Sequence, residues 1–318
     1  MNLGGDMDFE PIAIVGRSCL FPGASTPEEL WDLVAAGRCA ISSCPEDRWR
    51  APKSRVLREK GRQPGRACTD RGGYVVDFVR WFDPRGYAID PHEILRHDEL
   101  LSWVLHTARQ ALRDAGTDAP HRTLARTGAI FGLLCLPTEK FAAYAESFWL
   151  GEHKDAACRF NSGLTAHLLA QALQLDHGAF ALDAACASSL YAIQLACDEL
   201  QSGRADLMLA GAVSRGDDLF LHVGFSTLEA LSPSGHSRPF HKDADGLLPA
   251  EGASFIALKR LSDAIENGDT IHGIIRGIGI SNDGRSASLM TPSERGQESA
   301  MRAAYRIAGI DPAEISLL

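Results

Sequence analysis

Cys186 stands at the joint between an apolar stretch and a run of helix formers, in Phe180-Ala181-Leu182-Asp183-Ala184-Ala185-Cys186-Ala187-Ser188-Ser189-Leu190. A thiol at a helix start lies among backbone N–H groups with no intrahelical partner, at the positive end of the macrodipole. Both features favour the thiolate, which is the attacking form of cysteine. The alanines on either side leave room for a substrate to approach. The chemistry expected is covalent catalysis with Cys186 as nucleophile. Ser188 and Ser189 are expected to cap the helix rather than to react.

The other seven cysteines are Cys19, Cys39, Cys44, Cys68, Cys135, Cys158 and Cys197. They are expected to be small buried hydrophobes, the usual role of free cysteine. No Cys-x-x-Cys pair occurs, so spacing gives no zinc site and no metal is expected. The first ten residues are polar and acidic, unlike a secretory signal. Reduced thiols and a cytoplasmic location are therefore expected.

The elements that must position Cys186 show in the hydrophobic periodicity. Pro11 to Gly16 is an apolar run expected to form a buried strand. Thr26-Pro27-Glu28-Glu29 supplies an N-cap, a proline at the first helical position and a capping-box acid, and opens a helix that stops near Gly37. From Pro91 to Ala115, apolar residues recur at helical spacing and Gly116 follows as a cap, which predicts one long helix. Thr127 to Leu134 reads as a strand. A strand at Gly178–Cys186, a helix at Ser188–Ser202 and a strand at Ala205–Val213 form a βαβ unit. Its helix is apolar almost all round (Leu190, Ala192, Ile193, Leu195, Ala196, Cys197, Leu200) and is expected to be buried on every side. Strands at Ala253–Leu258 and Ile271–Ile280 and a helix at Gly296–Ala308 follow. This alternation predicts an α/β fold with mostly parallel sheets. Ile315 to Leu318 begins another apolar run, so the chain is expected to be cut, or to need a partner, where the next buried strand starts.

Composition narrows the function classes. The chain has 318 residues, enough for one large domain or two ordinary ones. It is 45% hydrophobic and 23% charged, as in soluble globular proteins. No apolar run is long enough to span a membrane. The net charge of −9 argues against nucleic acid as a partner. One stretch is basic: Arg48, Arg50, Lys53, Arg55, Arg58, Lys60, Arg62 and Arg66 stand against Glu59 alone. Its Pro and Gly content predicts a loop, either solvated or in contact with an acidic partner. Neither standard spacing of a Gly-rich phosphate loop occurs.

Ordered motifs along the chain resemble the β-ketoacyl synthase (ketosynthase) family of the thiolase fold, of the polyketide and polyunsaturated-fatty-acid synthase type. Pro45-Glu46-Asp47-Arg48-Trp49, Gly72-Gly73-Tyr74 and Phe82-Asp83-Pro84 resemble its early segments. Asp183 to Ser189 is similar to its nucleophile motif. Leu231-Ser232-Pro233, Ser237-Arg238-Pro239-Phe240, Ala244-Asp245-Gly246, Glu251-Gly252-Ala253 and Asn282-Asp283-Gly284 match further signatures. The Arg-Pro-Phe and Ala-Asp-Gly signatures point away from a thiolase acting on coenzyme A thioesters.

The resemblance implies a stacked αβαβα fold, usually a homodimer. It implies an N-terminal half at residues 1–260 carrying Cys186 and the start of a C-terminal half at 261–318. Cys186 would take an acyl group from the phosphopantetheine of an acyl carrier protein, its own N–H serving as an oxyanion donor. Decarboxylative Claisen condensation with a malonyl-type thioester would follow, with no cofactor bound. The family's two catalytic histidines lie in motifs that belong after Ile315, and the eleven histidines here match neither. His236 and His241 read as loop residues. Arg96-His97-Asp98 stands where Met-Asp-Pro is common. The isolated chain is therefore expected to be an acylatable half-enzyme. The alternatives are an inactive fragment or a non-catalytic partner like a chain-length factor.

Overall fold

The structure, a computed structural model, describes residues 9–46, 48–58, 61, 63–117, 124–152, 155, 162–285 and 291–317. Asp47, Glu59, Lys60, Arg62 and Cys158, read above, lie outside the described residues. The first apolar run forms β1 (Ile12–Leu20), longer than expected, with an irregularity between Ile14 and Gly16. A Cβ on Gly16 would lie 2.2 Å from the Ala111 carbonyl oxygen, so only glycine lets this strand cross the helix beneath it. Next comes α1 (Pro27–Ala35), where the Thr26 side chain accepts from the Glu29 N–H, as the capping signature requires. A short ribbon pairs β2 (Ile41–Ser43) with β3 (Arg71–Gly73), and α2 (Lys53–Val56) lies between them in sequence. Then comes α3 (Phe78–Trp81).

The long helix expected from Pro91 is two helices, α4 (Pro91–Arg96) and α5 (Glu99–Asp114). His97 between them is extended, and the Asp98 carboxylate accepts from the Leu100 N–H to start α5 afresh. A cap within a continuous apolar period broke the run.

The next strand, β4 (Thr127–Leu133), is buried throughout, as expected. Two helices that the periodicity did not predict follow, α6 (Glu139–Trp149) and α7 (Ser162–Leu173). Then come β5 (Gly178–Leu182), α8 (Ser188–Gln201), β6 (Leu207–Ser214) and α9 (Asp218–Thr227). The described chain continues with β7 (Gly252–Arg260), α10 (Leu261–Asn267), β8 (Gly273–Ile275) and α11 (Glu294–Ala308).

Six strands form one sheet in the order β5-β4-β6-β7-β1-β8. The sheet is mixed rather than mostly parallel. β4 runs parallel to β5 and β6, while β6–β7, β7–β1 and β1–β8 are antiparallel. Alternating elements fix strand direction only where the intervening helix crosses the sheet. Of the strand expected at Ile271–Ile280, only Gly273–Ile275 pairs. Gly277 and Gly279 then pass close against the α11 backbone at Ala304 and Ala300.

One sheet face packs Ala13, Val15, Phe131, Leu209 and Phe255 into a large core with α5 and α7. The other packs Ile12, Ile130, Met208 and Leu258 against α8. Helix α8 is not buried on every side: Ala192, Ala196, Cys197 and Leu200 are buried, but Leu190 is 60% exposed. Among the described residues, one sheet packs on it, and the second sheet of a five-layer stack is not formed. No helix among them is long and apolar enough to cross a membrane.

His106 packs edge-on against Phe78 and Trp81, with ring centroids 5.6 and 5.1 Å away. Burial, helped by Arg113, pushes its pKa down from 6.5 to about 4. The unfolded chain therefore binds the proton first as pH falls. This contribution is complete above about pH 6.5 and is lost progressively towards pH 4, on the order of 3 kcal/mol. Urea titrations across this range should show a smaller acid loss for His106→Phe, which keeps the ring contacts.

Candidate active site

Between β5 and α8 the chain must leave the sheet and enter a helix within five residues. Ala185 takes a left-handed φ of 50° to do so, a costly conformation for a residue with a Cβ. Cys186 follows inside a single 3₁₀ turn, Ala185–Ala187. Three residues shape this elbow. The Ser188 hydroxyl accepts from the Ala184 N–H at 2.9 Å and donates to the Ala185 carbonyl at 2.7 Å. The Asp183 carboxylate accepts from the Cys135 N–H at 3.0 Å and from the Ala185 N–H at 2.9 Å. These donors hold its carboxyl below the usual range. Lastly, Gly132 of β4 lies directly under the turn, where a Cβ would be 2.6 Å from the Ser188 Cβ.

Neither serine caps α8 as expected: Ala187 occupies the cap position and no side chain bonds there. Ser188 is instead a buried brace of the elbow. In the turn the Ala185 N–H donates to Asp183 and the Ala187 N–H to the Ala184 carbonyl. Between them, the Cys186 N–H has no partner among the described residues, as the first donors of a helix do not.

The Cys186 thiol is exposed at a cavity of ≈ 610 Å³. Ser188, Ser189 and Ile193 of α8 line it, with Ala212, Val213 and Ser214 of β6 and Ala250 to Gly252. Among the described residues no histidine lines it. His236 and His241 sit on an exposed loop, as expected. Asn282 accepts from the Gly284 N–H in a turn, also as expected. A second cleft, ≈ 630 Å³, runs beside α1 and shares Phe21, Ser254 and Ile256 with the first. Its thiol, Cys19, is buried and pushed up to about 11, chiefly by that burial.

Of the other cysteines, Cys19, Cys44 and Cys197 are buried as expected. Cys68 is half-buried, whereas Cys39 and Cys135 are exposed, contrary to expectation. Cys135 lies in the loop after β4 that Asp183 ties to the elbow.

The basic stretch is not a solvated loop at its start. Arg48 donates to Asp218 at 2.9 Å and to Glu251 at 2.5 Å. Arg50 pairs with Asp217 and Glu146, and Lys53 with Asp70. The acidic partner of these cations is the chain itself. Arg215, just past β6, completes the cluster among Glu99, Glu139, Asp218 and Glu251. Sequence reasoning gave Glu251 and Arg215 no role. Apart from Asp218 beside Arg215, their partners are distant along the chain, and only Glu251's place in a motif drew attention to it.

The family model "Beta-ketoacyl synthase, N-terminal domain" matches residues 9–264, and "Beta-ketoacyl synthase, C-terminal domain" matches 272–318. The chain belongs to the β-ketoacyl synthase family. Similar members include a PKS-NRPS hybrid synthetase of Aspergillus niger, 35% identical over 98% of this chain and 17% of its own length. Another is a phenolphthiocerol/phthiocerol polyketide synthase from Mycobacterium tuberculosis, 35% identical over 96% of this chain and 16% of its own. The chain thus spans about a sixth of these relatives. Among solved structures, the PfaC keto synthase–chain length factor superposes with a TM-score of 0.87 at 34% identity, covering 96% of this chain and 35% of that one. An oxazolomycin ketosynthase domain from Streptomyces albus also gives 0.87, at 28% identity over 96% and 53%. The fold of this β-ketoacyl synthase family member is therefore α/β and thiolase-like.

The contact between Gly132 and Ser188 gives a direct test of the elbow. Gly132→Ala should cost on the order of 1–3 kcal/mol in urea unfolding, because neither backbone can move away freely. It should also slow alkylation of Cys186 by iodoacetamide while leaving that of exposed Cys39 unchanged.

Proposed function

We propose that this ketosynthase-family chain carries the acyl-loading step of a β-ketoacyl-[acyl carrier protein] synthase, with Cys186 as nucleophile. The observation that carries this reading is the braced elbow, which holds one exposed thiol at the mouth of a largely apolar cavity. The Cys186 thiolate attacks the carbonyl carbon of an acyl thioester on the phosphopantetheine of an acyl carrier protein. A carbon–sulfur bond to Cys186 forms as the bond to the carrier sulfur breaks. The carrier sulfur leaves as a thiolate and takes a proton from water. The Cys186 N–H, at the start of the helix, supports the transient oxyanion. In the full reaction a malonyl-type carrier thioester loses carbon dioxide, its carbon attacks the acyl group, and the Cys186 thiolate is released. The chemistry uses no cofactor. Among the described residues β5 is an edge strand, and an open edge, with its row of unpaired backbone groups, supports a homodimer.

A second reading has one observation behind it: the similar PfaC structure is described as a keto synthase–chain length factor. A non-catalytic partner of that kind would not need a reactive thiol. Intact mass separates the two after incubation with an acyl-carrier thioester. One acyl adduct, absent in Cys186→Ala, is the expected result. A folded wild-type chain that takes no acyl group, or a Cys186→Ala chain that still does, contradicts it.

A further inference from the structure

The buried ionic cluster adjoins the Cys186 cavity, yet the loading chemistry does not use it. Glu251 is its centre. Its Oε1 accepts from the Val75 N–H at 2.6 Å, and its Oε2 accepts from Arg48 Nη2 at 2.5 Å. Arg215 Nε lies 3.6 Å from the same Oε2 and has no hydrogen-bond acceptor among the described residues. The side chains of Glu251 and Arg215 are each only 6% exposed. Breaking such a buried group's pairing is far more disruptive than breaking a surface ion pair.

These groups sit at the ends of the strands that wall the cavity. Ser214 lines it and Arg215 follows directly, while Ala250 and Gly252 line it on either side of Glu251. The wall has little slack. A Cβ on Gly211 would lie 2.2 Å from the Ser254 carbonyl oxygen, and one on Gly252 would lie 2.4 Å from the Phe21 ring. A displaced Glu251 must therefore move the wall with it.

We infer that Glu251, clamped by Arg48 and Arg215, is a positioning residue that sets the width of the Cys186 cavity and so its selection for group size. This rests on Cys186 being the reactive thiol of that cavity. Removing the carboxylate charge frees both arginines, and the wall relaxes to admit longer groups. Burial, opposed by Arg215 and Arg48 and reinforced by Asp218, holds the Glu251 carboxyl at about 7. The clamp accordingly opens as pH falls through neutrality. The groups facing it are Arg48 from the loop before α2, the Val75 N–H, Arg215 after β6 and Asp218 of α9. Glu99 and Glu139 face Arg215 from behind. Tyr74 and His222 line a small cavity of ≈ 160 Å³ that shares Glu251 as a wall.

The test compares iodoacetamide with N-dodecyl iodoacetamide. In each, the thiolate displaces iodide and a carbon–sulfur bond forms. Rates at Cys186 are read by peptide mass. Thiol ionisation affects both rates equally, so their ratio reports the wall alone. Glu251→Gln should raise the long-to-short ratio at least about threefold, alongside a fall in Tm as two buried arginines lose their counter-charge. The wild-type ratio should rise likewise from about pH 8 to about pH 6, and Glu251→Gln should remove that dependence. A ratio unchanged by both the substitution and pH overturns the inference. Both rates falling together in Glu251→Gln also overturns it, because the cluster would then hold the fold rather than the wall. Should the variant not fold, the wild-type series decides: a flat ratio overturns the inference and a rising one supports it. Alkylation needs no acyl carrier, so failure of thioester loading and failure of this inference are separate results.

Discussion

A strand must become a helix within five residues, directly above the glycine of a neighbouring strand, and still present a thiol to open space. Most of the structure serves that constraint. Gly132 removes the side chain that would collide with Ser188. Ser188 gives up a capping role to brace Ala184 and Ala185. Asp183 binds the turn to the loop after β4. The left-handed Ala185 is the conformational cost, on the order of 1 kcal/mol, and the packed sheet beneath supplies the rigidity that sustains it. Phe131 and Phe255, both buried, fix β4 and β7 against α5 from the other face.

Two kinds of force shape the cavity. Its floor is apolar and gains stability by leaving water, at roughly 25 cal/mol per Å². Its rim is ionic, where desolvation opposes the attraction between charges. The rim cluster draws from the loop before α2, from the starts of α5, α6, α9 and β7, and from the end of β6. Burying that many charges stabilises little on its own account. It fixes the relative placement of these segments at the rim.

How much was legible in the sequence depended on distance along the chain. The Cys186 elbow, the Thr26 cap and the Gly116 cap each lie within one short segment, and each was readable from residue types. The break at His97 was also local, but a continuous apolar period concealed it. Strand direction was not legible, because β7 returns from β6 without a crossover that fixes its sense. Nor was the Arg48–Glu251 pair, whose members are 203 residues apart. The basic stretch looked like an external contact because its acidic partners are scattered through four later segments. The one-sided burial of α8 could not be read either, since composition shows which residues are apolar and not what covers them.

The central claim is that the elbow makes Cys186 the reactive thiol, rather than exposure alone. Cys39 and Cys135 are exposed too. The most direct measurement is labelling of the native chain with less than one equivalent of iodoacetamide, mapped by peptide mass. The account predicts Cys186 labelled well ahead of Cys39 and Cys135. Labelling of the three at matching rates would contradict it, because the strained turn would then confer no chemical advantage.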